Sequence, residues 1–373
     1  MNRIKTLHEL GQSVWLDFIS RDLITSGELE GLIKKDEVRG VTSNPSIFEQ
    51  AIAKTNQYTN AIHMSSSLGR TANEILDDLI LDDIINAADL FLPQYQGTNS
   101  GDGFVSVEVN PDLANQTEET LEEVRRIWAS VNRPNVMIKI PATKPGIPAI
   151  QTAIAEGINV NITLIFSLDR YLEVMEAYLS GLEIRKEGGH PIDHVASVAS
   201  FFVSRIDTAV DEALDQIQGD GKDHDLSELY GKAAIASAKI AYQRFQTTFD
   251  SSRFRYLSAV GAKVQRPLWA STSTKNPTYP DTYYVDNLIG PHTVNTLPPQ
   301  TLEAFREHGR AEVTIEEDLG SVQDDLEKLE SVGISLEEIT AQLEREGVDK
   351  FAKSFHNLLR AVELQVSSDQ HDR

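Results

Sequence analysis

Eight short runs rich in β-branched residues recur along this chain, starting near Val14, Gly40, Phe104, Val136, Asn159, His194, Pro267 and Thr293. Helical stretches stand between them, and no hairpin signal joins one run to the next. Parallel strands need a long crossover, usually a helix, so this alternation predicts a parallel sheet. Each unit carries polar side chains at one parity near its C-terminal end. Eight such units favour a closed (β/α)8 barrel, the TIM-barrel member of the α/β class, because those strand ends build its active site. One doubly wound open sheet is the competing arrangement. The glycine-rich loops with which such sheets hold dinucleotides and nucleotides, Gly-x-Gly-x-x-Gly after a strand or a Walker-type loop, do not occur.

The fourth run, Val136-Met137-Ile138-Lys139-Ile140-Pro141-Ala142-Thr143, contains a single charge. Side chains alternate faces along a strand, so Val136, Ile138 and Ile140 point one way and Met137, Lys139 and Pro141 the other. Strands of α/β proteins are covered on both faces, and an ammonium taken out of water gives up its proton more readily. A neutral amine is a nucleophile whose characteristic chemistry is a Schiff base with a carbonyl, which weakens a neighbouring C–C bond. The plain alternative is a strand-end lysine that reaches water along its stem.

Other runs repeat the pattern. Asp17 shares a parity with Trp15, opposite Val14, Leu16 and Phe18; Ser106 and Glu108 lie opposite Val105, Val107 and Val109; Asn159, Asn161 and Thr163 lie opposite Val160, Ile162 and Leu164. Taken singly, Asp17 could be a structural carboxylate and Glu108 the partner of Lys139 in a buried ion pair. Taken together, ionisable groups on three strands facing one interior are costly as a structural device. They are reasonable as a catalytic one. Schiff-base chemistry needs an amine, a carboxylate that moves the proton of a substrate hydroxyl, and a second group that shuttles protons through carbinolamine formation.

Of the connecting segments, Ile4 to Gly11 reads as a short helix. Thr25 to Glu37 reads as another, with Thr25-Ser26-Gly27-Glu28 resembling a capping box. Thr71-Ala72-Asn73-Glu74 opens a helix with Leu76, Leu79, Ile80, Ile84 and Ile85 at helical spacing. Leu226 to Phe249 follows a Gly/Asp-rich loop as one uninterrupted helix. Residues 301–366 form an acidic helical extension expected on the barrel's outside or across its mouth, and 1–373 are expected to make one elaborated domain.

A formal net charge of −23 repels nucleic acid and anionic membrane, so a phosphate-bearing substrate must be met by a few locally placed cations. No segment approaches the roughly 18 apolar residues of a membrane span. The N-terminus lacks the apolar core of a secretory signal, and the absence of cysteine excludes disulfides, thiolate metal sites and cysteine nucleophiles. These features suit a reducing, cytoplasmic compartment. Compact metal-ligand spacings such as His-Glu-x-x-His are lacking, and no metal is suggested.

Six ordered motifs together resemble the transaldolases, class I aldolase-type barrel enzymes, over nearly the whole chain from Leu7 to about Thr301. They are Leu16-Asp17, Val41-Thr42-Ser43-Asn44-Pro45-Ser46, Val107-Glu108-Val109, Ile138-Lys139-Ile140-Pro141-Ala142-Thr143, Asn161-Ile162-Thr163-Leu164-Ile165-Phe166-Ser167 and Ser200-Phe201-Phe202-Val203-Ser204-Arg205. The resemblance implies that Lys139 forms a Schiff base with a ketose phosphate and that Asp17 is the acid/base of aldol cleavage and condensation. It implies that Glu108 and Thr163 hold the water that relays protons at the imine. Thr42, Asn44, Asn161 and Ser200 would hydrogen-bond a dihydroxyacetone unit, and Arg205 would grip the phosphate. Sugar phosphates are thus the implied partners, and no cofactor is required because the lysine imine supplies the electron sink. Oligomeric state is left open.

The chain departs from the family pattern after the seventh run. Many relatives show Ser-Phe-Arg there, whereas this chain has Ala270-Ser271-Thr272-Ser273-Thr274-Lys275-Asn276. Placing Lys275 opposite that arginine aligns Ser273 with its serine, and Ser271 is a rival. A lysine is a point charge without the bidentate fork of arginine. Two other readings are kept beside transfer of a dihydroxyacetone unit. One is a fructose 6-phosphate aldolase, in which a tyrosine tends to stand where this chain has Phe202. The other is a non-catalytic phosphosugar-binding barrel.

Overall fold

In the computed structural model, which describes residues 2–219 and 226–371, each β-rich run becomes a strand. These are β1 (Gln12–Leu16), β2 (Gly40–Thr42), β3 (Phe104–Glu108), β4 (Val136–Pro141), β5 (Val160–Ile165), β6 (Ser197–Phe202), β7 (Arg266–Ala270) and β8 (Thr293–Leu297). Neighbours pair in parallel, and β8 returns to β1 to close the barrel. The outward parity of β4, Val136, Ile138 and Ile140, is fully buried. The helices that cover the barrel are amphipathic: Thr117–Val131 turns Leu121, Val124, Ile127 and Val131 inward as one stripe.

The inward parity fills the barrel from its floor. Trp15 and Phe104 lie with ring centroids 6.2 Å apart, and Arg266 stacks over Trp15 at 5.9 Å. The Arg266 guanidinium is neutralised by the buried carboxylate of Asp102 at 3.1 Å. This end is therefore plugged by packed side chains. The polar residues of the same parity are left to line the opposite, C-terminal end.

Several local expectations change. The strand expected from His194 begins at Ser197. Thr25 caps no helix; its hydroxyl donates to Arg21 O and closes a short helix, Arg21–Thr25, that Ser20 caps, and a separate helix runs Glu28–Lys34. The segment expected as one helix from Leu226 is a 3-10 turn at Ser227–Leu229 and a helix at Ala233–Phe249. Gly231, at φ +68°, breaks it, because the left-handed region interrupts the helical ladder. The Gly/Asp-rich loop before it falls in 220–225, outside the described residues. The helix opening at Thr71 does form, with Thr71 Oγ1 accepting from Glu74 N and Glu74 Oε2 accepting from Thr71 N.

The acidic C-terminal part contains helices at Pro299–His308, Leu319–Ser331 and Leu336–His371. The last of these lies across the barrel mouth. Ser354 meets Ser46 at 2.8 Å and Asn357 donates to Glu49 at 3.2 Å, both in the segment after β2. His356 pairs with Asp112 after β3, and Glu344 with Arg170 after β5. The approach at β5 is close: a Cβ on Gly347 would stand 2.9 Å from Leu164 Cδ2. Leu164 itself sits at φ +60°, where the β5–β6 register shifts. Among the described residues, no helix is long and apolar enough to cross a membrane.

Candidate active site

Strand register brings the ionisable groups together. Glu108 of β3 is level with Lys139 of β4, and Lys139 is level with Asn161 of β5. Level residues of adjacent parallel strands point to one face, so all three enter the barrel. Lys139 is 5% exposed. Its Nζ donates to Ser43 O at 2.9 Å and stands 3.7 Å from Glu108 Oε2, an ion pair longer than a hydrogen bond. The Phe351 ring from the C-terminal helix lies 6.0 Å from the same nitrogen and limits its access to water.

Both oxygens of Glu108 are buried without a hydrogen-bond partner, and so is Thr163 Oγ1. Buried polar atoms ordinarily pair, so these three are free to take a substrate hydroxyl or a water. Burial pushes the Glu108 carboxyl up to about 7 against the downward pull of the Lys139 ammonium, and the charge of Asp17 adds to the rise. A carboxyl titrating near neutrality can both give and accept a proton.

Asp17 follows β1, where its N–H donates to Leu297 O. Thr42 Oγ1 donates to Asp17 Oδ1 at 2.7 Å and meets Thr296 Oγ1 at 2.5 Å. Burial raises this carboxyl above its ordinary range, opposed by Lys139, the Thr42 hydrogen bond and Lys275. Asn161 and Ser200 are buried side by side, with Ser200 Oγ donating to Asn161 Oδ1 at 2.7 Å and Asn161 Nδ2 to Ser106 Oγ at 3.0 Å. Asn44 Oδ1 accepts from Ile47 N and caps the helix after β2, which leaves its amide nitrogen for a ligand.

A cavity of about 380 Å3 collects Asp17, Thr42, Asn44, Lys139, Thr163 and Ser200, and Arg205, Ser273 and Lys275 line it too. Of the sequence candidates, Glu108 and Asn161 are the two set behind this lining. Arg205, at the start of the helix after β6, stacks on Phe202 at 5.3 Å. Lys275 Nζ donates to Ser273 Oγ at 2.6 Å, whereas Ser271 Oγ is engaged with Ser204 Oγ at 3.0 Å. Among the described residues, no three His, Asp or Glu side chains group to hold a metal ion.

Lys350, Phe351 and Ser354 also line the cavity, and reading the strands alone misses them. A signal for them exists. Gly347, Lys350, Phe351 and Ser354 fall at i, i+3, i+4 and i+7, one face of a helix. That face holds a glycine, a cation, an aromatic ring and a hydroxyl, where a structural helix would show only apolar residues. Thr296 is missed as well, for want of any motif around it.

The comparison with known proteins agrees with this geometry. The family model described as Transaldolase/Fructose-6-phosphate aldolase matches residues 14–362. A protein of Trichodesmium erythraeum named transaldolase is 45% identical, covering 98% of this chain and 98% of its own. Transaldolases of Mycolicibacterium smegmatis and Saccharopolyspora erythraea are each 46% identical, again over 98% of both chains. The barrel, its polar C-terminal mouth and these matches make the chain an enzyme of the transaldolase and fructose-6-phosphate aldolase family.

Proposed function

We propose that this enzyme transfers a dihydroxyacetone unit from sedoheptulose 7-phosphate to glyceraldehyde 3-phosphate through a Schiff base on Lys139. The observation that carries this reading is a buried amine 3.7 Å from a carboxyl that titrates near 7. In this scheme the amine attacks the ketose C2 carbonyl, and the carbinolamine loses water with a proton relayed from Glu108 through a water shared with Thr163. Asp17 takes the C4 hydroxyl proton as the C3–C4 bond breaks, and the electron pair enters the imine to give an enamine. Erythrose 4-phosphate leaves. The enamine carbon then attacks the aldehyde carbon of glyceraldehyde 3-phosphate, Asp17 returns the proton to the new alkoxide, and hydrolysis of the imine releases fructose 6-phosphate and free Lys139.

Thr42, Asn44, Asn161 and Ser200 orient the three-carbon unit by hydrogen bonds, and Arg205, Ser273 and Lys275 receive the phosphate. Ser273 is preferred to Ser271 because its hydroxyl already touches Lys275. The reaction belongs to the pentose phosphate pathway, and a reducing cytoplasm suits a chain without cysteine. Transfer is favoured over aldolase release because the enamine must outlast the first aldehyde, which requires keeping water from it. Phe202 supplies a ring without a hydroxyl at the cavity wall, and Phe351 covers the amine.

Borohydride reduction in the presence of fructose 6-phosphate, followed by peptide mass analysis, tests the proposal. A reduced three-carbon adduct on Lys139, lost in Lys139→Met, is expected. Binding of the sugar phosphate without any adduct would instead identify a non-catalytic barrel.

A further inference from the structure

Four cations besides Lys139 line this cavity, Lys54 from the segment after β2 and three that bear on one another from three further elements. Arg205 comes from the helix after β6, Lys275 from the loop after β7, and Lys350 from the C-terminal helix; all line the cavity that holds Lys139. Among the described residues, none of the three has a carboxylate within 4.0 Å, whereas most of the other arginines of this chain with a net charge of −23 are paired. The Lys275 ammonium donates to the neutral Ser273 hydroxyl, and Arg205 rests on the Phe202 ring. Glu346 is the carboxylate that bears on Arg205.

We propose that Lys350 is a phosphate ligand, a third cation that completes the anion site formed with Arg205 and Lys275. The proposal rests on the sugar-phosphate reading above and extends it to a residue outside the strand-end set. One lysine and one arginine cannot make the paired fork that two arginines would. A second ammonium offers the missing donor and a further positive charge to a dianion.

The local structure supports this. Burial and the neighbouring Arg205 lower the Lys350 ammonium, and burial, Lys350 and Arg205 lower that of Lys275 while Asp17 raises it. The three groups thus repel one another across the same space, a cost that a bound dianion reverses. The helix is seated to deliver the lysine there: a Cβ on Gly347, one turn before Lys350, would stand 2.9 Å from Leu164 Cδ2 and 3.6 Å from Arg205 Nη1, so its absence lets the helix lie close to both.

The test compares the full-length wild type with Lys350→Gln, Lys350→Arg and Lys353→Gln. The last removes the same charge from an exposed position of the same helix that does not line the cavity. A lost charge-assisted hydrogen bond corresponds to roughly a 10- to 100-fold weakening. Lys350→Gln is therefore expected to raise KM for fructose 6-phosphate by about that factor and to shrink the preference for fructose 6-phosphate over fructose. It should also weaken the affinity for inorganic phosphate measured by calorimetry. Lys350→Arg should restore most of the loss, and Lys353→Gln should behave as wild type. Equal losses with fructose and fructose 6-phosphate, or phosphate affinity unchanged in Lys350→Gln, would overturn the assignment of Lys350. Trapping of Lys139 by borohydride with dihydroxyacetone is run alongside. If wild type forms no adduct, the reaction reading fails, and the phosphate titration still decides Lys350 by itself.

Discussion

Changing Glu108 to Gln should alter the pH dependence of folding together with the reaction. In the unfolded chain this carboxyl titrates near 4.5, and in the barrel burial carries it to about 7. The attraction of Lys139 is already contained in that net upward displacement. A carboxyl raised in this way holds its proton more tightly in the native state. Its contribution therefore favours folding below pH 4.5 and is lost as the pH rises through about 7. At about 1.4 kcal/mol per pH unit the whole interval is worth roughly 3 kcal/mol, most of it between pH 5 and pH 8.5. Glutamine has nearly the same shape and does not titrate. Urea unfolding of both proteins at those two pH values brings out the term, because titrating groups that do not couple to Glu108 cancel in the difference. The variant should gain roughly 2 to 3 kcal/mol on wild type on going from the lower to the higher pH. A difference that stays constant within about 0.5 kcal/mol would mean that Glu108 is not strained by burial, and the argument for a near-neutral proton shuttle would fall with it. In the same variant kcat should drop by roughly 10^2 to 10^4, the usual worth of a positioned proton-transfer group.

Thr42→Val removes the hydroxyl that donates to Asp17 at 2.7 Å and so takes away one of the influences holding that carboxyl down. The acid limb of the kcat/KM profile should move to higher pH, and a limb that does not move would show that it reports a group other than Asp17. Phe202→Tyr puts a hydroxyl at the cavity wall, where it can position water beside the enamine. Released dihydroxyacetone should rise relative to transfer product, and an unchanged product ratio would remove Phe202 from the discrimination.

The alternation of β-rich runs with helices determined a parallel sheet because parallel strands must be joined by crossovers, a constraint that acts locally along the chain, and folding closed that sheet into a barrel. Strand parity likewise determined that Asp17, Glu108, Lys139, Asn161 and Thr163 face the same side as their inward neighbours, since alternation is a property of the extended backbone. Helix breaks were less legible. The segment after Leu226 has unbroken helical composition, and only Gly231 in its left-handed conformation stops it. Distances between strands belong to register, which is set by the packing of the whole barrel: the sequence does not reveal that Glu108 is level with Lys139, or that Glu108 is left without a hydrogen-bond partner. The last helix shows the division most sharply. Its acidic, amphipathic pattern specifies a helix packed on something, and that pattern is the same for any surface. Folding alone lays it over the strand ends, where Gly347 meets Leu164 and where Lys350 and Phe351 enter a cavity lined by residues from Asp17 to Pro298.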